Sequence, residues 1–270
     1  MTKNSAAADY RPDSGTAYRA LEKRLLRSDR QYGAHDWFRW MLEDVLADLT
    51  GERKTDPPPE GVIDNLRELS GLYAKCVIEA PPFTDVLGSL YMSMASHGSK
   101  KHFGHYFTPA PVAELAAQVQ NLATEPRSDG GLWRVLDPAV GSGVMLLAVV
   151  RLLHRRDPES LLWWSFTGVD IDRYCALMCA CNLATNAFIH QCALGEIVVY
   201  RGNSLGPLTK DDLSLVLYGV ADPDRAAVRE PLVPSAPTET KVASDAPPSD
   251  TTSDTTDADT QPGQLQLFFD

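Results

Sequence analysis

The amino-acid sequence has no long hydrophobic run. Its longest apolar segment extends from Val144 to Val150 and resumes after Arg151 as far as Leu153, well short of the roughly 20 residues that cross a bilayer. The first residues, MTKNSAAADYRPDSG, contain no apolar core of the kind that secretory signal peptides carry. We therefore predict no membrane-spanning segment and no contact with a membrane.

Cysteine is scarce as well, with five residues in 270. An odd number of cysteines without a secretory segment favours reduced thiols and a cytoplasmic location. Cys175, Cys179 and Cys181 have the spacing C-x3-C-x-C, which fits neither a zinc knuckle nor the C-x3-C-x2-C of radical enzymes. Because Cys175 and Cys179 lie one helical turn apart among apolar residues, we predict buried structural cysteines and no metal site.

Positive charge is not in excess, since the net charge is −11. Seven acidic residues and a single lysine lie in residues 231–270, which therefore hold more than half of that charge. Such a balance does not indicate a broad nucleic-acid-binding face. Contact with DNA would have to use local basic clusters such as 100–102 or 151–156, and clusters of this kind are more often solvated surface.

Two common phosphate-binding signatures are missing from the stretch WRVLDPAVGSG at 133–143. A dinucleotide fingerprint would need a third glycine where the chain has Leu146, and the Gly-Lys-Ser/Thr of a Walker loop is absent. What is present is an apolar run ending at Asp137, a turn with Gly141 and Gly143, and the apolar run VMLLAVVRLL. This pattern predicts strand, tight turn and helix, with backbone amides open to a ligand. Similar turns also occur in proteins that bind no ligand there, so the alternative is a turn with a purely structural role.

Polar side chains follow two further predicted strands. LLWWSFTGVDID ends in Asp170 and Asp172, and EIVVYRGNSL reaches Asn203 after the helical stretch RYCALMCACNLATNAFIH. In a doubly wound sheet the carboxyl ends of neighbouring strands lie side by side, so these groups are expected to gather around the glycine turn. A carboxylate at Asp170 can accept hydrogen bonds from both hydroxyls of a ribose. LSLVLYGV predicts a fourth strand.

The first third of the chain is predicted to be helical. Apolar residues recur at helical spacing from Ala17 to about Leu49, from Val62 to about Cys76 and from Thr84 to about Ser96. GERKTDPPPEG between the first two regions is a linker by its proline and glycine content. One predicted helical face carries Trp37, Trp40, Met41, Val45 and Leu46. We interpret residues 17–96 as a helical subdomain or lid.

A separate helix is predicted after the aromatic segment HFGHYFTP at 102–109. Thr108 is a good N-cap, Pro109 suits the first helical position, and apolar residues recur at helical spacing after them. By themselves, the aromatic residues before this helix are typical of a loop that packs on the core.

Four motifs, in their order along the chain, resemble the motifs of one protein family. GHYFTP (104–109), VLDPAVGSGVML (135–146), GVDID (168–172) and RGNSL (201–205) are similar to the consecutive cofactor motifs of the N-6 DNA methylase family. These are adenine methyltransferases that use S-adenosylmethionine, and they include modification subunits of type I restriction-modification systems. The lead-in PPFTDVLGSLYM (81–92) is also similar to the segment that precedes the first motif. The resemblance covers about residues 80–206.

The resemblance implies S-adenosylmethionine as cofactor and DNA as substrate, with a specificity or catalytic subunit as a further partner. In that family the first motif would line the methionine end of the cofactor, the strand-end carboxylates would address its amino group and ribose, and the third strand end would address adenine. The residues so implied are Tyr106, Phe107, Thr108, Pro109, Asp137, Ala139, Gly141, Ser142, Gly143, Asp170, Ile171 and Asn203.

The sequence departs from the family after the fourth strand. At that place the family has Asn or Asp, then Pro-Pro, then Phe or Tyr. Oxygen atoms of this motif accept hydrogen bonds from the amino group of adenine, and the aromatic ring of the Phe or Tyr stacks on the flipped base. This chain has Ala221-Asp222-Pro223-Asp224, without the second proline and the aromatic residue, so Asp222 is a weak catalytic candidate. The stretches 56–59 and 80–83 are poor substitutes, because the first follows no strand and the second begins with Ala80.

The end of the chain has a different composition. Residues 222–263 are rich in Pro, Ser, Thr, Ala and Asp, as in disordered linkers. The following QLQLF resembles the short peptide by which bacterial DNA polymerases and repair proteins bind the sliding clamp. We predict that Gln264, Leu265, Leu267 and Phe268 bind such a partner, and the alternative is a tail that packs on its own domain.

Together these observations predict an α/β protein with a truncated, Rossmann-like methyltransferase sheet, a helical N-terminal subdomain and a disordered acidic tail. The expected boundaries are a disordered 1–16, helices in 17–100, the cofactor domain in 101–221, the acidic linker in 222–263 and the peptide in 264–270. The expected function is adenine-N6 methylation of DNA, with a catalytically inactive, cofactor-binding accessory or decoy module as the alternative.

Overall fold

A computed structural model of the chain describes residues 12–27, 31–97, 107–206, 212–221 and 265–266. Four helices come first: α1 Thr16–Leu26, α2 Ala34–Thr50, α3 Ile63–Glu79 and α4 Val86–His97. The helical prediction for this region is confirmed, and the five residues predicted to share a face of α2 are buried or nearly so. Disorder up to residue 16 is wrong in part, because Pro12–Ser14 form a 3₁₀ helix that leads into α1.

Helix α5, Ala110–Gln118, follows the aromatic segment as expected. Its N-cap is Pro109 rather than Thr108, and the carbonyl oxygen of Pro109 accepts hydrogen bonds from the backbone N–H of Val112 and of Ala113. The prediction of a Thr108 cap is therefore wrong by one residue. The physical reason is that the extended conformation of Pro109, with ψ of 138°, already turns its own carbonyl into the first turn of the helix.

Four strands form the body of the sheet: β1 Trp133–Asp137, β2 Trp164–Asp170, β3 Glu196–Gly202 and β4 Leu213–Val220. Helix α6, Val144–Arg156, connects β1 to β2, and helix α7, Arg173–Ile189, connects β2 to β3. Strands β1, β2 and β3 are parallel and adjacent, so the carboxyl ends of three strands meet at one edge. The mixed α/β class and the positions of all four strands are as predicted.

Strand β4 runs antiparallel to β3 at the side of the sheet away from β1. The connection from Gly202 to Leu213 is too short for the helical crossover that a parallel neighbour requires. The sheet order is thus β1-β2-β3-β4, and a two-residue strand β5, Leu265–Gln266, pairs parallel to the end of β4. Within the described ranges no strand pairs with the other side of β1, so the doubly wound order expected from the sequence is not seen.

A single hydrophobic core joins the N-terminal helices to the sheet. Helix α7 lies at its centre and is buried around most of its circumference, with Asn182, Thr185 and Asn186 as buried polar residues among apolar ones. On one side it packs on β2 and β3, and on the other on α2 and α3, where the thiol of Cys181 lies 3.3 Å from the carbonyl oxygen of Leu42. Helices α1–α4 therefore form part of one packed body, which argues against a separately moving lid.

The three cysteines of α7 are buried free thiols, as predicted from their spacing. Burial raises the pKa of Cys179 and of Cys181, which keeps both thiols protonated and uncharged. They therefore pack as small apolar side chains. In the part of the chain that the structure describes, no helix has the length and apolar character needed to cross a membrane.

Candidate cofactor-binding site

The turn between β1 and α6 is shaped by two glycines in the left-handed region. Gly141 has φ of 55° and Gly143 has φ of 91°, a conformation that L side chains adopt at a cost of about 1–2 kcal/mol. A Cβ atom at Gly143 would also lie 3.2 Å from Sγ and 3.3 Å from Cα of Cys179 on α7. The backbone N–H of Val140 donates to the carbonyl oxygen of Val169 at 3.0 Å. The turn is thereby pressed against β2 and α7, and a larger residue at 143 would push it away.

Asp170, at the end of β2, is bonded to this turn. Its Oδ2 accepts the backbone N–H of Gly141 at 2.9 Å, and its Oδ1 accepts the backbone N–H of Asp172 at 2.9 Å. A carboxylate has about four lone-pair sites, so each oxygen can accept a further hydrogen bond. Asp170 can therefore hold the turn and still receive a pair of hydroxyl donors.

Asp137 ends the neighbouring strand β1. Its Oδ1 accepts the backbone N–H of Ala139 at 3.1 Å. Burial raises the pKa of the Asp137 carboxyl; the hydrogen bond from Ala139 partly offsets this, and the charge of Asp170 raises it further. Two carboxylates at adjacent strand ends produce a negative potential that a cationic ligand group would relieve.

Asn203 comes directly after β3 and is exposed. Its side-chain oxygen accepts the backbone N–H of Leu205 at 3.0 Å, which fixes the side chain on the loop. Ile171, beyond the end of β2, is 69% exposed. The three strand ends predicted to form a site thus lie along one edge in the order Asp137, Asp170, Asn203, and each extends two residues beyond the one before it, since Asp137 pairs with Gly168 and Asp170 with Arg201.

The aromatic segment before α5 contributes Phe107. Its ring lies so close to the turn that a Cβ atom at Gly141 would be 3.0 Å from Cδ1 of Phe107. The same ring packs on Tyr91 of α4, with 5.8 Å between ring centroids. Thr108 and Pro109 are exposed beside it. Tyr106, also predicted to line the site, lies outside the described residues.

Ser142 has a different place from the one expected of a cofactor contact. It is fully buried, and its hydroxyl donates to Oδ2 of Asp85 at 2.5 Å, on the side of the turn that faces the core. The assignment of Ser142 to the cofactor site stays a prediction, and its side chain is bonded to the protein. The partner, Asp85, is a residue that we did not single out from the sequence, although it lies within the lead-in segment at 81–92.

Asn182 is the second residue missed by sequence reasoning. It is fully buried in α7, and its Nδ2 donates to Oδ1 of Asp85 at 2.8 Å and to the carbonyl oxygen of Ser142 at 2.9 Å. A single asparagine within the apolar stretch CALMCACNLA is the signal that could have indicated it, since a buried amide needs partners.

The strand that leads to Asp222 ends at the opposite edge of the sheet. The backbone N–H of Ala221 donates to the carbonyl oxygen of Gly195, just before β3 begins, whereas Asn203 follows the end of β3. Seven residues of β3 separate the two edges, a distance of roughly 20 Å. Asp222 itself lies outside the described residues, but the approach of the chain gives no support to Asp222 as a catalytic residue at the strand ends.

The predicted partner-binding peptide is described in part. Leu265 and Gln266 form β5, which pairs with Gly219 and Val220 at the edge of β4. Gln264, Leu267 and Phe268 lie outside the described residues, as does the acidic stretch 222–263. This pairing agrees with the alternative in which the tail packs on its own domain.

Fold and site together define an α/β domain with a candidate ligand site at the carboxyl ends of its parallel strands. The family model described as N-6 DNA Methylase matches residues 83–224, more than half of the chain. The chain belongs to the N-6 DNA methylase family, and the resemblance seen in its four motifs is confirmed.

Solved structures give more distant likenesses. A candidate class I S-adenosylmethionine-dependent methyltransferase from Listeria monocytogenes is 15% identical, with a TM-score of 0.37, over 63% of this chain and 50% of that one. A modification subunit of a candidate type I restriction enzyme from Vibrio vulnificus YJ016 is 18% identical, with a TM-score of 0.35, over 70% and 42%. A type I restriction-modification methyltransferase subunit from Streptococcus thermophilus is 18% identical, with a TM-score of 0.29, over 64% and 36%.

The chain therefore spans half or less of the length of each of these structures. Likenesses at this level are too distant to carry an argument about individual site residues. No curated protein is similar enough to the chain to add a relative.

Proposed function

We propose that the chain binds S-adenosylmethionine at the strand ends and serves methyl transfer to the amino group of adenine in DNA. The observation that carries the proposal is the row formed by Asp137, Asp170 and Asn203 at the carboxyl ends of three adjacent parallel strands, beside the glycine turn to which Asp170 is bonded. Family membership supplies the expectation for the cofactor, and the residues present fit that expectation in charge and hydrogen-bonding capacity.

The fit follows from the chemistry of each part of the cofactor. S-Adenosylmethionine carries an ammonium group and a sulfonium centre, and its methyl group is activated by the positive sulfur. Asp137 would receive the ammonium group, because its carboxyl lies in a site with excess negative charge. Asp170 would accept the ribose hydroxyls with the lone pairs that Gly141 and Asp172 do not use. Asn203 would face the adenine ring, and Phe107 would close the site over Gly141.

Calorimetric titration with S-adenosylmethionine tests the cofactor part of the proposal. Asp137→Ala and Asp170→Ala should each weaken binding at least about tenfold, the loss expected for a hydrogen bond to a charged group. Asp64→Ala is the matched control, because that exposed carboxylate pairs with Arg67 on the surface of α3. Unchanged affinity in both site variants would remove the basis of the proposal.

A second candidate is a cofactor-binding module that relies on a partner subunit for target recognition and catalysis. The observation that favours it is the course of β4, which carries the chain to the edge of the sheet opposite the strand ends. Ala221-Asp222-Pro223-Asp224 follows that strand in place of Asn/Asp-Pro-Pro-Phe/Tyr, so the second proline and the aromatic ring that would stack on the flipped base are missing there. Under this candidate, the chain alone binds the cofactor and methylates DNA weakly or not at all.

Incubation of the purified chain with labelled cofactor and mixed-sequence DNA separates the two candidates. Robust formation of N6-methyladenine would support the catalytic reading and overturn the second. Asp137→Ala controls for a contaminating methyltransferase, since it should abolish any label that this chain incorporates. Asp222→Ala would then show whether that residue takes part despite the course of β4.

Recruitment by the C-terminal peptide is a further part of the proposal. Leu267 and Phe268 would enter an apolar pocket of a bacterial sliding clamp, with Gln264 as a polar anchor and the preceding linker as a tether. The affinity should be modest, on the order of micromolar, because so short a peptide buries little area and is ordered on binding. A clamp pull-down should retain the full chain but not a Leu267→Ala, Phe268→Ala double variant. Equal retention would leave the tail without this role.

A further inference from the structure

The core-facing side of the glycine turn is bonded to a single carboxylate, Asp85. Asp85 immediately precedes α4 and accepts the backbone N–H of Gly88 at 2.8 Å, as an N-cap does. It also accepts Nδ2 of Asn182 from α7 at 2.8 Å and the hydroxyl of Ser142 from the turn at 2.5 Å. One side chain thus joins the start of a helix in the N-terminal part, the central helix and the turn, 57 residues further along the chain.

The partners of Asp85 have little freedom to find other partners. Ser142 and Asn182 are fully buried, so neither can turn to water if the carboxylate is removed. Asn182 also donates to the carbonyl oxygen of Ser142, and its own oxygen receives the hydroxyl of Tyr73 at 3.4 Å. Desolvation raises the pKa of Asp85, while the hydrogen bonds from Ser142, Gly88 and Asn182 oppose that rise. The carboxylate and its donors therefore form one interdependent set.

The close approach of α4 to the turn also depends on Gly88. A Cβ atom at Gly88 would clash with Oδ2 of Asp85 and would lie 2.7 Å from Oγ of Ser142. The helix has to lack a side chain at this position for the carboxylate to reach the turn. The conformation of Gly88 does not require glycine, since its φ is not in the left-handed region, so the close approach is the reason.

Helix α4 also reaches the other side of the turn. Tyr91, six residues after Asp85, packs on Phe107, and Phe107 lies against Gly141. The same helix thus supports the turn from the core through Asp85 and, through Phe107, from the side where the cofactor is proposed to bind. A shift of α4 would displace both.

We propose that Asp85 is a positioning residue for the cofactor site, which holds residues 140–143 in the ligand-binding conformation through Ser142. The inference rests on the proposed function, since it assigns a role at the same site. It makes the N-terminal helical part a component of cofactor binding, although Asp85 has no direct contact with the cofactor.

Calorimetry with S-adenosylmethionine on Asp85→Ala, Ser142→Ala and the double variant tests this role. Each single variant should weaken binding about tenfold, and the double variant should be no weaker than the weaker single, because both changes remove the same bond. Asp85→Asn keeps an oxygen for Gly88 and Asn182 but loses the acceptor for Ser142, so its affinity should be intermediate. Ser142→Ala is the smallest change and keeps the test available if Asp85→Ala does not fold.

Leu69→Ala is the control for a general loss of stability. Leu69 is fully buried in α3, which packs on α1, α2 and α7, so its truncation should lower the midpoint of unfolding while affinity stays at the wild-type value. Wild-type affinity in Asp85→Ala and Ser142→Ala, or an affinity loss in Leu69→Ala equal to theirs, would overturn the inference alone. A wild-type chain that binds no S-adenosylmethionine would overturn the proposed function, and this inference with it.

Discussion

The two sides of the glycine turn differ in what their polar groups are bonded to. On the core side, Ser142 is fully buried and its hydroxyl and carbonyl oxygen are both taken by protein partners. On the open side, Asp137 and Asp170 accept one and two backbone N–H groups respectively and keep capacity for more. The same short segment therefore has a side that sets its shape and a side that can receive a ligand.

This difference explains why a motif cannot be transferred residue by residue. All of 139–143 matches the family's cofactor motif, yet the side chain of Ser142 points away from the ligand side. A serine in such a turn can stabilise the loop as readily as it can donate to a ligand, and burial decides between the two. Substitutions that change one side at a time separate the two roles.

The largest effect should come from Gly143→Ala. This substitution places a Cβ at positive φ, at a cost of about 1–2 kcal/mol, and crowds Cys179, at a further cost of about 1–3 kcal/mol. Urea unfolding should show both losses. Gly130→Ala is the matched control, because Gly130 also has positive φ, of 76°, but nothing lies within 4 Å of its Cβ position. Equal losses in the two variants would mean that the turn is not held against α7.

The next effect concerns the open side and its dependence on pH. The pKa of Asp137 is raised above its ordinary value by burial and by Asp170, so protonation begins at a higher pH than for an exposed carboxyl. Affinity for S-adenosylmethionine should therefore fall as the pH is lowered through that raised pKa. Asp137→Asn should bind about tenfold more weakly at neutral pH and lose this dependence. A wild-type affinity that is flat down to the range of exposed carboxyls would contradict the assignment.

The same pKa shift has an opposite consequence for the unliganded protein. Because the folded state favours protonated Asp137, its contribution to the free energy of unfolding falls as the pH rises from the unfolded pKa through the raised folded pKa. Above both values the ionised carboxyl is destabilising. Asp137→Asn should then be more stable than the wild type near neutral pH, while Asp64→Asn, at an exposed site, should not. Thermal unfolding across pH checks this direction.

A smaller effect is expected from Asp172→Ala. Asp172 is close to the open side, but its Oδ1 caps α7 by accepting the backbone N–H groups of Tyr174 and Cys175 at 2.7 and 3.1 Å. Loss of an N-cap costs about 0.5–2 kcal/mol. We expect lower stability in urea with little change in cofactor affinity. A large affinity loss at unchanged stability would place Asp172 in the ligand site instead.

The smallest effect should come from ending the chain at Gly263. The two residues of β5 pair with the end of β4, on the side of the sheet away from the turn. Their removal should change the free energy of unfolding by less than about 0.5 kcal/mol and leave cofactor affinity unchanged. A larger loss of stability would favour the tail as a structural strand over the tail as a tether.

Much of the fold could be predicted because it depends on local patterns. Spacing of apolar residues predicted the three helical regions that contain the four N-terminal helices, without the break between α1 and α2, and strand β1, the glycine turn and α6 follow the strand–turn–helix pattern closely. The strand ends at Asp137, Asp170 and Asn203 could be placed at one edge because parallel neighbours share it. The error in placing the N-cap at Thr108 is also local. The N-cap is the next residue, because the backbone of Pro109 is extended and the helix begins directly after it.

By itself, the sequence determined the class of the protein, the residues of the turn and the groups at the three strand ends, since these follow from periodicity, glycine and motif order. The tertiary structure alone decided that β4 turns back along β3, that Tyr91 of α4 packs on Phe107 beside the turn, and that Ser142 faces Asp85 and Asn182. Hydrogen bonds between residues 40 and 57 positions apart leave no periodic trace in the chain. These hydrogen bonds form only when packing removes water from the donor and the acceptor. Each group then has the other as its nearest hydrogen-bonding partner.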